Sequence, residues 1–465
     1  MKTLYILSAL GVIALLAEIF KFKKLLLPIV LVGLLGAIGV AVMDWNTNIH
    51  YYNNMLTFDN YGLLFTILIC GVSFLWFLMS QDFFSEESSK TDHYALSLFA
   101  IIGATIMVSY SNMVMLFIGI EILSIPLYVL AGSKKDSLAS NESALKYFLM
   151  GAFATGFLLF GIALIYGATG TFDLNNLSLA LSSREGVERS GDVLLTSGIL
   201  MMLVGLSFKV SAAPFHFWAP DVYQGAPTPV TAFMATIVKT AAFAAFLRLF
   251  VTCFSEMETV WMNIIWVMAA LTILLGNITA VYQNNVKRML AYSSISHAGY
   301  MLLAILSMNQ YSTGSILYYA AAYSVSTIGA FAVLSIIERS STAEGGTIDS
   351  FTGLSKRNPF LAFAMTIAML SLSGIPPLAG FFGKYYIFFS ALQSGYLWLV
   401  LIAVLGSLIG VYYYFRVIIK MYQTIPIVLA EQSFKIDRST QIILVATILL
   451  SLLLGIFPDL VIGLI

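Results

Sequence analysis

Apolar stretches of about 20 residues, the length a helix needs to cross a bilayer, recur fourteen times along the chain. They fall at roughly 3–20, 24–43, 61–81, 94–110, 112–132, 142–168, 193–219, 228–252, 259–282, 289–308, 314–337, 358–392, 397–420 and 439–457. In lipid, every backbone amide and carbonyl must be satisfied within the structure, so only helices and closed barrels span. The runs are continuous and do not alternate over about ten residues, which argues against a β-barrel. The fold class expected is an all-α polytopic membrane protein with about 14 transmembrane helices. Charge supports this. Only 10% of the residues are charged, 23 basic against 23 acidic, and the mean hydropathy is +0.92. A soluble chain carries about 25% charge, and a nucleic-acid binder needs a basic surplus; both classes are set aside. The first run lacks a small-residue cleavage site followed by polar sequence, so it is read as a retained helix.

The loops set a direction. With the N-terminus outside, the inner loops hold Lys21, Lys23, Lys24, Lys90, Lys134, Lys135, Lys287, Arg288, Arg339, Lys356, Arg357, Arg416, Lys420, Lys435 and Arg438. The outer side holds Lys2, Arg184 and Arg189. The positive-inside rule then places both termini outside. The longest loops, about 170–192 and 338–357, are too short for a soluble domain.

Cys70 and Cys253 lie in apolar runs, and His50, His93, His216 and His297 do not cluster. No metal-ligand spacing and no Gly-rich phosphate loop is present, so no cofactor is expected in this chain. Lys209, Lys239 and Lys384 sit deep within apolar runs, as does Glu121. A charge at the bilayer centre costs at least about 2.5–3.5 kcal/mol. Three deep lysines cannot all pair with one deep glutamate. The alternative to helix-locking ion pairs is an ion path, and the chemistry suits protons. An ammonium that has lost its hydration releases its proton more readily, and a neighbouring carboxylate makes it hold on. Lys146 follows Glu142 by four residues, as a surface helical pair would, or it forms the inner connection of the path. Arg248 lies near a span end, from which it can snorkel.

Two runs are interrupted, at Pro214 and at Pro376-Pro377. These discontinuous helices, about 193–219 and 358–392, run in opposite directions. Lys209 and Lys384 both fall on the outer side of their break, as inverted repeats require. Freed backbone at that depth is tolerated only where it is buried or meets a water-filled cavity. Tyr318, Tyr319, Tyr323, Ser324, Ser326 and Thr327 give one span a polar stripe, suited to interhelical hydrogen bonds or to water. For His216 and His297 a satisfied core histidine is the default, and His297 is also a candidate relay.

The run from Gly205 to Val230 contains Lys209, Pro214, His216 and the words Asp221-Val-Tyr-Gln-Gly-Ala-Pro227-Thr-Pro229. It resembles the signature of the antiporter-like subunits of respiratory complex I. The Asp221 wording is closest to a single member of that family. Lys287-Arg288-Met-Leu-Ala-Tyr292 through His297 to Tyr300, and Gly374-Ile-Pro376-Pro377 through Gly380 and Gly383 to Lys384, agree with it. The resemblance covers nearly the whole chain. It implies that Glu121 is the fifth-helix glutamate, which faces an adjoining subunit and modulates the seventh-helix lysine, Lys209. Lys239 would be the connecting lysine of the eighth helix and Lys384 the terminal lysine of the twelfth. It implies inverted five-helix repeats over 94–252 and 253–421, between an N-terminal segment 1–93 and a last helix in 422–465. FMN, iron–sulfur clusters and quinone are expected only in partner subunits. The expected neighbours are other complex I membrane subunits, subunit M and the small subunit K side among them, in a bacterial inner membrane. The function expected is proton translocation through the Glu121, Lys209, Lys239 and Lys384 relay, with Lys146 and His297 as further candidates, driven by quinone reduction elsewhere. A multisubunit cation/proton antiporter and a structural spacer are the competing readings.

Overall fold

The computed structural model describes residues 1–81, 83, 90–182, 192–340, 346–424 and 436–463. Arg184, Arg189 and Lys435, used above in the charge count, lie outside the described residues. Among the described residues twelve helices are long and apolar enough to cross a membrane, and two shorter apolar ones stand at the interrupted runs. In chain order the spans are α1 (Lys2–Ile19), α2 (Leu26–Met43), α3 (Asn60–Met79), α4 (Lys90–Ser109), α5 (Met113–Ala131), α6 (Leu138–Thr169) and the broken α7, whose halves are α7a (Val193–Lys209) and α7b (Trp218–Gly225). There follow α8 (Thr228–Cys253), α9 (Glu258–Val281), α10 (Val286–Ser307), α11 (Ser312–Ser340), the broken α12 with halves α12a (Pro359–Ser373) and α12b (Ala379–Gln393), α13 (Leu397–Tyr422) and α14 (Arg438–Ile456).

Short polar side chains start these helices where the sequence supplies them. Asp59, Asn112, Asp192, Asn285 and Asn358 each accept a hydrogen bond from a backbone amide in the first turn of α3, α5, α7a, α10 and α12a. Such caps satisfy orphan donors that lipid would leave bare. Pro359 directly after the Asn358 cap is well placed, because its missing N–H falls where no helical acceptor exists.

Two elements were not anticipated. A two-stranded hairpin, Ile49–Tyr51 with Leu56–Phe58, fills the loop before α3, and a short helix, Leu174–Ser182, follows α6. Helix α6 also starts at Leu138, a turn before the apolar run, because Ser137 caps it ahead of the polar stretch Ser140–Glu142.

The bundle is layered. α8 is wholly buried along its apolar window, and α10 and α11 are 94% buried. α1, α2, α6, α13 and α14 are only 28–39% buried and present apolar side chains outward. The innermost helices are thus those that carry Lys239, His297 and the tyrosine-rich stripe. Glycine sets the closest helix approaches. A Cβ on Gly103 of α4 would lie 2.8 Å from the Gly119 carbonyl of α5. A Cβ on Gly299 of α10 would lie 2.6 Å from Ile273 of α9. Small residues that let backbones touch are the usual basis of helix packing in lipid, where no hydrophobic force drives the helices together.

One end of the bundle collects the basic loop residues. There Lys23 pairs with Glu18 (2.6 Å), Arg288 with Asp221 (2.8 Å) and Lys420 with Asp349 (2.7 Å). At the opposite end Lys2 of α1 pairs with Asp44 after α2 (2.6 Å), closing that hairpin. The first is called the basic face below.

Candidate functional site

Each deep lysine stands at a local departure from regular helix. Lys209 is the last residue of α7a, and the chain then runs irregularly to Phe217. Lys384 lies on the second turn of α12b and folds back on the first half of its helix. Lys239 follows a one-turn π-helical segment, Met234–Val238, and a second, Arg248–Cys253, lies beyond it. Such bulges occur frequently at functional sites. The peptide bonds Ala213–Pro214 and Pro376–Pro377 are cis.

Among the described residues none of the three lysines has an ion-pair partner. Lys209 Nζ donates to Ser124 Oγ of α5 at 2.6 Å. Lys239 Nζ donates to the carbonyl and the hydroxyl of Ser294 on α10, both at 2.6 Å. Lys384 Nζ donates to the Ser373 carbonyl at 2.7 Å and to Ser407 Oγ of α13 at 2.8 Å. All three residues are 2–6% exposed. The broken helix supplies the Ser373 carbonyl, since α12a ends there and cannot satisfy it internally. Gly374 makes this possible. It turns the chain at φ +86°, and a Cβ there would meet Lys384 Cδ at 2.9 Å and Nζ at 3.1 Å.

Hydroxyls and rings join these stations. His297, one turn beyond Ser294 on α10, has Nδ1 2.5 Å from the Tyr319 hydroxyl and Nε2 3.1 Å from the Tyr414 hydroxyl. Tyr414 also bonds Ser293. With a hydroxyl on each nitrogen, this imidazole can give a proton on one side and take one on the other. Tyr319 packs where a Cβ on Gly383, the neighbour of Lys384, would stand 3.0 Å away. Lys384 Nζ lies 5.5 Å above the ring of Tyr300, whose hydroxyl accepts from Asn277. Toward the other end, Lys209 Nζ lies 5.8 Å from the Tyr147 ring, which stacks on Trp218 at 4.9 Å. Trp218 meets Tyr223 edge-on, and Tyr223 faces Ser294. Sequence reasoning missed Ser124, Tyr147, Tyr223, Ser294, Ser407 and Tyr414. Serine and tyrosine are too common in membrane helices to be singled out by spacing, and the network partners of Ser124, Ser294, Ser407 and Tyr414 are 23–121 residues away.

Glu121 sits midway along α5, half-buried, on the outward stripe it shares with Ile125 and Val129, each 56% exposed. It makes no salt bridge with Lys209. Lys146 bonds Glu142 and Asp221, both at 2.7 Å, and Asp221 also takes Arg288; these four form a partly exposed cluster at the basic face. Arg248 does not snorkel. Its side chain is 11% exposed, pairs with Asp59 at 2.6 Å and lies 4.7 Å over Tyr61, because the Asp59 cap of α3 stands opposite it. His216 is half-buried in the α7 break, its Nδ1 without a hydrogen-bond partner among the described residues, away from the His297 network. Among the described residues no three His, Cys, Asp or Glu come together to hold a metal.

The family described as NADH:quinone oxidoreductase/Mrp antiporter, TM matches residues 111–410, the segment that carries Glu121, Lys209, Lys239, His297 and Lys384. The chain belongs to this family. An NADH-quinone oxidoreductase subunit N from Cytophaga hutchinsonii is 45% identical over 99% of this chain and 98% of its own. The subunit N from Trichlorobacter lovleyi is 43% identical over 98% and 93%. A chain of respiratory complex I from Thermus thermophilus superposes with a TM-score of 0.83 at 35% identity, covering 99% of this chain and 98% of that one. Within the family this is an antiporter-like, proton-translocating membrane subunit of the subunit N type, with the complex I antiporter-like fold.

Proposed function

We propose that this chain carries protons across the membrane along Glu121, Lys209, Lys239, His297 and Lys384, driven by quinone reduction in partner subunits of an NADH-quinone oxidoreductase. The observation that carries the reading is the solvation of the deep lysines. Their ammonium groups are held by hydroxyls and carbonyls and not by carboxylates. A carboxylate partner would fix the positive charge in place, whereas a hydroxyl or carbonyl leaves the amine free to exist in either protonation state. Moving one charge against 100 mV costs about 2.3 kcal/mol. One hydrogen bond to a charged group is worth about 1.5–3 kcal/mol, so making or breaking a single contact is of the right size to drive a step.

Glu121 is the input of this relay. A half-exposed carboxylate in mid-span among exposed Ile125 and Val129 needs a protein neighbour, since lipid cannot solvate it. An adjoining antiporter-like subunit, such as subunit M, covers it, and a shift there alters the field at Lys209. Lys239 and His297 pass the proton on, and Lys384 releases it on the side opposite the basic face. Lys146 holds α6 to α7b and stays outside the path. The basic face is cytoplasmic and both termini are periplasmic, in a bacterial inner membrane. FMN, iron–sulfur clusters and quinone reside in partner chains.

The inverted repeats cover 94–252 (α4–α8) and 253–421 (α9–α13). The glycine-mediated contact of α4 with α5, repeated by α9 with α10, supports this division, as does the break of α7, repeated by α12.

The test is proton pumping by the complete complex in liposomes with Lys209→Ala or Lys384→Ala. Protons per NADH should fall while NADH oxidation persists. Full stoichiometry in both variants would overturn the relay and leave a scaffold.

A further inference from the structure

An open cavity of about 850 Å³ lies at the basic face between α6, α7b, α10 and α11, lined in part by Lys134, Asn284, Asn285, Lys287 and Glu338. A smaller one of about 140 Å³ adjoins it and reaches Thr228 and Ser335; Lys134 and Glu338 line both. Glu338 therefore stands between the two. One of its carboxylate oxygens accepts from Thr228 Oγ1, and the other lies 3.8 Å from Lys287 Nζ. Its side chain is 28% exposed, so it meets solvent, while that of Lys287 is 9% exposed. Lys134, Lys287 and the neighbouring Arg339 are the cations around it. None of the relay stations lies in either cavity.

From Glu338 two polar lines lead inward. Thr228 opens α8, eleven residues before Lys239, a rise of roughly 16 Å. One turn on, Thr231 donates to the Tyr223 carbonyl at 2.8 Å, and Tyr223 faces Ser294, which receives Lys239. On α11, Ser335 is followed inward by Thr327, which faces Tyr323, and by Ser324, whose buried hydroxyl has no hydrogen-bond partner among the described residues. A buried hydroxyl in that condition takes up water. The second line ends at Tyr323, whose ring is 4.8 Å from that of His297.

We propose that the Glu338 cavity is where this subunit takes up protons from water at its basic face, with Glu338 as the first acceptor. It deepens the relay reading above and rests on it. The proton leaves a water or hydronium in the large cavity and forms an O–H bond on the Glu338 carboxylate. It then leaves that oxygen toward Thr228 and Ser335, and the carboxylate is regenerated. Lys287 keeps its proton throughout and holds the carboxylate in place, so that it is a positioning residue.

The test uses the whole complex in liposomes, reading protons per NADH beside the rate of NADH oxidation. Glu338→Gln keeps the bond to Thr228 and removes the acceptor. It should lower protons per NADH to the value of Lys239→Ala, and Glu338→Asp should restore at least half of the loss. If Lys239→Ala pumps fewer protons and Glu338→Gln pumps the full number, the uptake site is overturned and the relay stands. If Lys239→Ala itself pumps fully, the relay reading fails. A second variant avoids dependence on the Glu338 fold. Ala139 also lines the large cavity, and the native Cys70 and Cys253 are buried. Ala139→Cys, labelled with a bulky membrane-impermeant thiol reagent, should lose at least half its pumping relative to the same variant unlabelled. Unchanged pumping after complete labelling would overturn the proposal.

Discussion

Lys239 donates to both oxygens of Ser294, the carbonyl and the hydroxyl, at 2.6 Å each, and His297 sits one turn further along the same helix. The wholly buried α8 is thereby joined to the hydroxyl network of α10, α11 and α13 with no carboxylate in between. A cation held this way keeps its position whichever protonation state it takes.

Ser294→Ala removes one of these two acceptors and leaves the carbonyl. A hydrogen bond to a charged group is worth about 1.5–3 kcal/mol, so the step through Lys239 should slow about tenfold or more. The expected result is a fall in protons per NADH with normal assembly, smaller than the fall in Lys239→Ala, read in liposomes containing the complete complex.

Gly374 and Gly395 both adopt positive φ, +86° and +83°, but only Gly374 has Lys384 against it; Gly395 faces open space. Alanine at either position carries similar backbone strain, on the order of 1–2 kcal/mol. Gly374→Ala must also displace the Lys384 side chain. Pumping should therefore fall in Gly374→Ala and remain near normal in Gly395→Ala, with both variants compared on the same membranes. Equal effects would mean that only the backbone turn matters.

Arg248 and Asp59 form a pair of which the arginine is largely buried. Removing one partner of a fully buried pair costs about 3–5 kcal/mol; with Asp59 31% exposed, Arg248→Met should cost about 2 kcal/mol or somewhat more. The double variant Arg248→Met, Asp59→Leu should recover most of the loss, measured by thermal unfolding of the detergent-purified complex. Pumping per NADH should not change in complexes that assemble.

Lys146 meets Glu142 and Asp221 where all three side chains are 38–63% exposed. Exposed pairs contribute about 0–1 kcal/mol. Lys146→Ala should keep its protons per NADH, whereas Asp221→Ala, which releases Lys146 and Arg288 together, should lower the amount of assembled complex on native gels. Loss of pumping in Lys146→Ala with normal assembly would put that residue back on the path.

Much of this was legible along the chain. Run length reported the spans, Pro214 and Pro376-Pro377 reported the breaks, and isolated charges in apolar runs reported Glu121, Lys209, Lys239 and Lys384. Each of these signals is local: a bilayer requires about 20 apolar residues in succession, proline removes a donor in its own turn, and a charge in lipid is conspicuous against its immediate neighbours. Arg248 was misread as a snorkelling end residue because its partner, Asp59, is 189 residues away. Glu338, just past the apolar run of α11, is not marked out by its neighbours in the chain; the cavity it lines exists only because α6, α7b and α10 pack against that end of α11.

Sequence by itself thus determined that the chain is a helical membrane protein with four ionisable groups stranded at depth, because those properties follow from the solvent each segment must meet. Only the tertiary structure decided what holds these groups. Serine hydroxyls, carbonyls released by a broken helix and tyrosines flanking His297 are brought together from distant helices. No local pattern encodes those pairings, since they depend on which helix faces pack and not on what each face contains.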